Sequence, residues 1–383
     1  MKANIEKRTF IELLKKIGKT IDNFSPLPSL QYVKMELNDD SVILTASNTT
    51  TSIVYLLKDG INIKEPGTAL LKYKELNNIV KNIDGEEVKL TSVKDSAMVK
   101  INGKKARFKL NGINNEEFPN IMMDTTSQPI TIKSDTLISL ISKSSFATSD
   151  KLTRPVLTGV NIEGKNDRLL FTATDAYRAV RETLDIKIPQ DFRVTVASEA
   201  LSTIVEFVKD AENIEIYPED KNLFFKSDNF TIKASLIEGG YPDVERLLQE
   251  STIIYNTTLE KDSFLETMKR ATVLTAGSPL SVLTGPDSTV RLDFSAEDII
   301  LKSDSTEVGT FEESINDDIQ IIDGRGDFYI ALSAKYLSEA LKTSSQQKLN
   351  IKFSGEVKPV YFYDEDEANG IKRTQIVLPI RTR

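Results

Sequence analysis

A threefold internal repeat constrains this chain more than any other feature. Phe10, Leu137 and Phe264 stand at a constant spacing of 127 residues. Each opens a similar segment, FIELLKKIGKT, LISLISKSSFA or FLETMKRATVL, and Leu14, Ile141 and Met268 keep one register within them. Phe10, Leu13, Leu14, Ile17 and Ile21 recur at helical spacing, so an amphipathic helix is expected over 8–21. The strand VILTASN (42–48) returns after 127 residues as LLFTATD (169–175), and after a further 130 as IILKSDS (299–305). The third copy therefore carries a small insertion. A second amphipathic helix is expected in each copy, over 70–83, 197–210 and 332–344, with Ser198 and Ser333 as start signals. Short alternating strands then lead to an apolar–Pro pair: Phe118-Pro119, Tyr241-Pro242 and Leu378-Pro379. A unit of about 125 residues exceeds the solenoid periods, so each copy is expected to be its own domain. The expected divisions are 1–126, 127–251 and 252–383, at polar stretches near 125–128 and 249–252.

Composition narrows the chemistry. The 383 residues include no cysteine and no histidine. Disulfides, thiolate metal sites, Cys nucleophiles and the commonest general base are excluded together. No P-loop is present, because the Gly-Lys pairs at 18–19, 103–104 and 164–165 lack the required spacing and the following Ser or Thr. The acidic run Asp364-Glu365-Asp366-Glu367 reads as a solvated loop rather than a cation site. No catalytic residue, metal or cofactor is expected. There is no run of eighteen apolar residues and no apolar leader in MKANIEKRTF, so a cytoplasmic protein without membrane contact is expected. The net charge of −8 argues against a surface that binds nucleic acid everywhere, yet leaves room for a basic strip on one face.

Such a strip is visible in the repeat. Lys16, Lys143 and Arg270 share one register on the first helix, about 110° from the centre of the apolar stripe. One hairpin also stands apart. Over 155–181 the sequence PVLTGVNIEGKNDRLLFTATDAYRAVR reads as two strands around the turn cluster Gly164-Lys165-Asn166-Asp167. It ends in Thr174-Asp175-Ala176-Tyr177-Arg178. The Tyr-Arg pair has no counterpart in the first copy, where Thr50-Thr51 stand, or in the third. An aromatic beside a guanidinium on an otherwise repeated surface is hot-spot chemistry.

LTRPVLTGVNI, TATDAYRAV, EGGYPDVERLL and the terminal LPIRTR resemble the bacterial sliding clamp family, the beta subunit of DNA polymerase III. The resemblance runs through all three repeats. It implies an α+β fold of three DNA-clamp domains, each with two helices packed on antiparallel sheets, joined head to tail as a homodimeric ring. It implies a tether without chemistry of its own. Its partners would be double-stranded DNA without sequence preference, a second copy of the chain, the DNA polymerase III alpha subunit, the clamp loader and other proteins carrying a clamp-binding motif. Two departures are that Ala176 and Ala179 replace residues commonly Gly or Ser and Leu, and that Tyr177 stands where His is common.

The resemblance also implies sites. Lys16, Lys143 and Arg270 would face DNA, with Lys15, Lys19, Lys72, Lys74, Lys151 and Arg154 as company. The first-domain dimer face would be Leu76, Ile79, Ile83, Phe108 and Leu110, beside Lys104, Lys105 and Arg107. The third-domain face would be Val273 and Leu274, near Glu307, Glu312 and Glu313. A partner-peptide pocket would take its apolar walls from Leu157, Leu247, Val377, Leu378 and Ile380. Pro242 and Pro379 would set its rim, Thr174, Tyr177, Arg178 and Arg246 would orient the peptide, and Arg381 would belong to the same pocket. Two other readings stay open on sequence: an enzyme built on carboxylates with Tyr177 or Lys, and a repeat interaction protein with no role on DNA.

Overall fold

The computed structural model describes residues 1–22, 25, 27–249, 252–273, 289–295, 298–305, 309–324 and 326–381. Within them one order of elements occurs three times: a strand, a helix, a run of strands, a second helix and a last run of strands. Seven α-helices are described: α1 (Lys7–Ile17), α2 (Tyr73–Asn82), α3 (Ser134–Ser145), α4 (Ser198–Val208), the short α5 (Glu245–Leu248), α6 (Lys261–Thr272) and α7 (Ala334–Lys342).

The expected helices form, with shifted ends. Helix α1 buries Phe10, Leu13, Leu14 and Ile17, but its regular part stops before Gly18. A Cβ at Gly18 would lie 1.8 Å from the Tyr73 hydroxyl, so the phenol of α2 occupies the space a side chain would need. Residues 70–72 belong to the strand Gly67–Lys72, because Leu70 and Leu71 pair with Lys34 and Val33 in the sheet. Helix α7 begins after Ser333, whose hydroxyl accepts from Tyr336 N–H as an N-cap. The stretch 155–158 is a 3-10 turn rather than a strand, started by Pro155. The strands Gly159–Lys165 and Arg168–Thr174 follow, joined by Asn166 and Asp167 with φ of 51° and 53°. That is the two-residue turn whose twist suits a hairpin, and Asn and Asp tolerate it best after Gly.

The chain divides into two compact units, Met1–Ile138 with Val196–Ile237, and Ser139–Thr195 with Glu238–Arg383. The middle repeat is thus shared between them, because each neighbouring repeat claims one of its strand runs. In the first unit, Phe230–Ser235 pairs antiparallel with Thr51–Leu57, with Ile232 opposite Ile53. This pairing fuses thirteen strands into one sheet, from Ile130–Lys133 at one edge to Ile61–Glu65 at the other. Alternation drives its inner strands: Tyr32–Leu37 buries Val33, Met35 and Leu37. In the second unit, Ile371–Val377 pairs with Arg178–Asp185 in the same manner, with Arg178 opposite Val377. Nine strands form one sheet there and four form another. Its core includes Tyr255, Phe294 and Phe353, and the partly buried Phe328 packs against it, its ring stacked on that of Phe294 at 4.5 Å.

The polar stretch near 125–128 is fastened. The Glu219 carboxylate accepts from the backbone N–H groups of Thr126 and Ser127 at 2.6 and 2.9 Å, and from both hydroxyls at 2.9 and 3.0 Å. The Ser127 and Thr126 bonds hold this carboxyl down at about 2.

Candidate functional site

The corner that ends the strand Arg168–Thr174 is built by one aspartate. Asp175 Oδ1 accepts from the N–H groups of Tyr177 and Arg178, at 2.9 and 3.0 Å. This side-chain turn reverses the chain in four residues. It forces Ala176 to φ 78°, a left-handed conformation that L-residues other than Gly adopt at a cost. Tyr177 is then thrust outward, 58% exposed, with its ring 6.4 Å from that of Tyr336 on α7. The Thr174 hydroxyl donates to Arg178 O at 2.6 Å, and Thr174 N–H donates to the Tyr241 hydroxyl at 3.1 Å. Burial pushes the Tyr241 phenol far above its ordinary range.

The C-terminal segment runs along this corner. Leu378 N–H donates to Tyr177 O at 2.9 Å, and Ile380 N–H to Ala331 O at 2.8 Å. Helix α5 lies against the strand Ile371–Val377. Beneath it Ala179, Val244, Tyr361 and Ile376 form a small separate core. Tyr361 is 2% exposed, so a bulky aromatic packs beside the small residue at 179. Leu247 is 43% exposed, while Leu378, Pro379 and Ile380 are half-buried. Pro242, Arg246 and Arg381 are exposed. The result is a partly apolar surface with cations at its margin.

Three expectations for this corner need correction. Arg178 is buried rather than presented to a partner: its guanidinium contacts Asp175 at 3.0 Å, Glu339, and Phe146 O at 2.6 Å. It also lies over the rings of Phe146 and Tyr336, 5.0 and 4.5 Å from their centroids. Its donors are engaged inside the fold, where they fasten the corner to Phe146 and Glu339. Thr174 is likewise buried, with its hydroxyl already donated. Leu157 and Val377 are only 4% and 1% exposed, so they support the surface from beneath. Sequence reasoning missed Phe146, Tyr336 and Glu339, which complete this wall.

The three register-sharing cations are all paired. Lys16 meets Asp210, Lys143 meets Asp366 at 2.9 Å, and Arg270 meets Glu313 through two bonds of 2.9 and 2.5 Å. Burial pulls the Lys16 ammonium below its ordinary value. Lys19 pairs with Glu206 at 2.9 Å and Lys72 with Glu75 at 3.8 Å. Lys15, Lys74, Lys151 and Arg154 are exposed.

Among the dimer-face residues, Leu76 and Ile83 are 0% and 1% exposed. They are buried in the first unit's own core, so their side chains are not presented at its surface. Ile79 and Leu110 are half-buried, and Lys104, Lys105, Arg107 and Phe108 are exposed. Val273 is 69% exposed. Glu312 is exposed and lies 3.6 Å from Lys302. Leu274 and Glu307 lie outside the described residues.

The acidic run is also corrected. Asp364 and Asp366 are buried on the strand Val360–Asp366, while Glu365 and Glu367 are exposed, as strand alternation dictates. Arg373 donates to Asp364 at 2.9 Å, to Glu182 at 2.5 Å and to Thr343 O at 2.5 Å. Burial pushes the Glu182 carboxyl up to about 7 against the pull of Arg373. Among the described residues no acidic cluster has the geometry to hold a metal ion. No described helix is long and apolar enough to cross a membrane.

Comparison with known proteins agrees along the whole chain. Three family models match in order: DNA polymerase III beta subunit, N-terminal domain, over 1–122; central domain, over 131–243; and C-terminal domain, over 255–381. The beta sliding clamp of Bacillus subtilis is 29% identical over 395 residues, and that of Staphylococcus aureus 29% over 390, each with full coverage of both chains. The crystal structure of the Bacillus subtilis DNA polymerase sliding clamp superimposes with a TM-score of 0.90 at 27% identity. That of the Streptococcus pyogenes beta subunit does so with 0.90 at 26%, again with full coverage of both. Three domain matches in sequence, full-length relatives and a shared fold lead to one conclusion: this chain belongs to the DNA polymerase III beta subunit family, the beta sliding clamps, which are non-catalytic processivity factors.

Proposed function

We propose that two copies of this chain close head to tail into a ring around duplex DNA in the cytoplasm. The observation that carries the reading is a strand junction made twice within the chain and left open a third time. Thr51–Leu57 takes Phe230–Ser235 as its neighbour, and Arg178–Asp185 takes Ile371–Val377. The third counterpart of the accepting strand is Gly309–Ser314, an edge with a single hydrogen-bonded neighbour among the described strands. The remaining donor counterpart is Arg107–Ile113, which pairs with Gly67–Lys72 only through Gly112 and Ile113. Residues 107–111 are thus open on that side. The two edges are complementary. One carries Arg107, Phe108 and Lys109, the other Phe311, Glu312 and Glu313. Pairing them between copies would repeat the internal junction and close a ring of six domains. Apolar and backbone contacts would carry it, since exposed ion pairs contribute about 0–1 kcal/mol each.

Within such a ring, Lys15, Lys16, Lys19, Lys72, Lys74, Lys143, Lys151, Arg154 and Arg270 would meet phosphates weakly and without sequence preference. Sliding requires such contacts. The DNA polymerase III alpha subunit, the clamp loader and other motif-bearing proteins would dock a short apolar peptide on Leu247, Leu378, Pro379 and Ile380. Tyr177, Pro242, Arg246 and Arg381 would flank it. The test is retention on DNA. Clamp loaded on nicked circular DNA should stay bound through gel filtration and leave when the circle is cut. Phe108→Asp should abolish retention and yield monomer by sedimentation. Equal loss from circular and linear DNA would refute the ring.

A further inference from the structure

We propose that the free edge of the strand Ile319–Gly324 is a second docking site, which adds an extended partner segment of alternating apolar and basic residues to the nine-stranded sheet. This strand pairs with Tyr255–Glu260 on one side and, among the described strands, ends the sheet on the other. Comparison among the repeats shows why it is unusual. The corresponding edge segment of the first copy reads Ile63-Lys64-Glu65-Pro66. A lysine and a proline are the usual devices by which a sheet edge repels further pairing. In the third copy the same four positions are Ile321-Ile322-Asp323-Gly324, so both devices are gone.

The match is structural as well as sequential. Lys64 is the extra residue of a bulge, skipped where Lys2 pairs with Glu65 and Ala3 with Ile63. Ile322 is skipped in the same way, where Asn256 pairs with Asp323 and Thr257 with Ile321. The bulge turns out a lysine in one copy and an isoleucine in the other. Ile321 and Ile322 are 36% and 57% exposed, side by side on a free edge. Proline cannot return at 324, because a Cβ there would fall 2.1 Å from the Tyr255 ring. Backbone groups are presented too. Glu260 N–H donates to Asp318 O at 2.8 Å, so antiparallel alternation turns Gln320 inward and the N–H and C=O of Ile321 outward.

Charge selects the occupant. Residues 314–327 contain four aspartates, Asp317, Asp318, Asp323 and Asp327, against one cation, Arg325, and Asp317, Asp323 and Asp327 are exposed. A second acidic strand would be repelled, whereas a segment with Lys or Arg between β-branched residues gains both pairing and charge.

The experiment uses the full-length clamp and a fluorescein-labelled probe, Lys-Val-Thr-Val-Lys-Val, followed by anisotropy. Binding should be weak, with Kd of about 10⁻⁴ M, and weaker in high salt. Ile322→Lys restores the pattern of the first copy and should reduce affinity about tenfold, since it sets a like charge against the probe. Ile321→Lys serves as a second variant, and melting temperature checks that both fold. A probe N-methylated at alternate residues should not bind, because it cannot complete the ladder. Equal binding by wild type and both variants, equal binding of the methylated probe, or no binding at 1 mM would overturn the proposal. Wild-type clamp assembling beyond the state reached by Ile322→Lys would also overturn it, by making a second copy the occupant.

Discussion

Replacing Asp366 by Asn should destabilise the second unit by an amount that depends on pH. The carboxylate accepts from Lys143 Nζ at 2.9 Å, Ser139 Oγ at 3.0 Å and Asn369 Nδ2 at 3.1 Å. Burial opposes ionisation, yet bonds from Lys143, Asn369 and Ser139 hold the carboxyl at about 2, against an ordinary 3.8. The side chain is 11% exposed, so solvent screens these contacts little. A gap of nearly two units, at 1.36 kcal/mol each, amounts to about 2 kcal/mol. Because the folded value is depressed, this stabilisation is fully present above pH 4 and disappears as pH falls toward 2. Asn keeps the shape and an acceptor oxygen but loses the charge. Equilibrium urea unfolding by circular dichroism should show a loss of about 2 kcal/mol at pH 7, shrinking to near zero at pH 2. A loss that is the same at both pH values would refute the electrostatic account and point to packing alone.

Other outcomes follow from the same geometry. Asp210→Asn with Glu313→Gln should relieve Lys16 and Arg270 of the carboxylates that compete with phosphate and tighten DNA binding at fixed salt; unchanged affinity would remove these cations from the DNA face. Ala176→Gly should raise stability by about 0.5–1 kcal/mol in thermal unfolding, by relieving a positive φ at the expense of some unfolded-state entropy; a decrease would mean the methyl group packs usefully. Leu247→Asp, at an exposed apolar position, should weaken a labelled clamp-binding peptide by about tenfold or more without changing sedimentation; undiminished binding would move the peptide elsewhere.

How much the sequence disclosed depended on the range of each interaction. The repeat and the helical phase of Phe10, Leu13, Leu14 and Ile17 are local patterns, and they led directly to the order of elements. Burial on a helix is also local, but its purpose is not. Leu76 and Ile83 look the same whether they face a core or a partner, and only the sheet beneath α2 decides. Charged partners were hidden altogether. Arg178 and Glu339 lie 161 positions apart, and Lys143 and Asp366 lie 223 apart. No spacing rule connects such pairs. The acidic run at 364–367 misled because four adjacent acids suggest water, while a strand period of two sends alternate members into the core.

The Glu219 clasp bears on how this chain could be re-engineered. Polar residues between two repeats look like the natural place to open the chain, whether for new termini in a circular permutant or for an inserted reporter. Here one carboxylate gathers two amides and two hydroxyls from Thr126 and Ser127. A cut at that point would release all four at once and leave a charged acceptor without donors. The hairpin turn at Asn166 and Asp167 is the better place to cut. It is exposed, its strands are held along their length by their own ladder, and a cut there puts at risk two bonds, those Asp167 accepts from the N–H groups of Ile186 and Ile188 at 3.1 Å, rather than four.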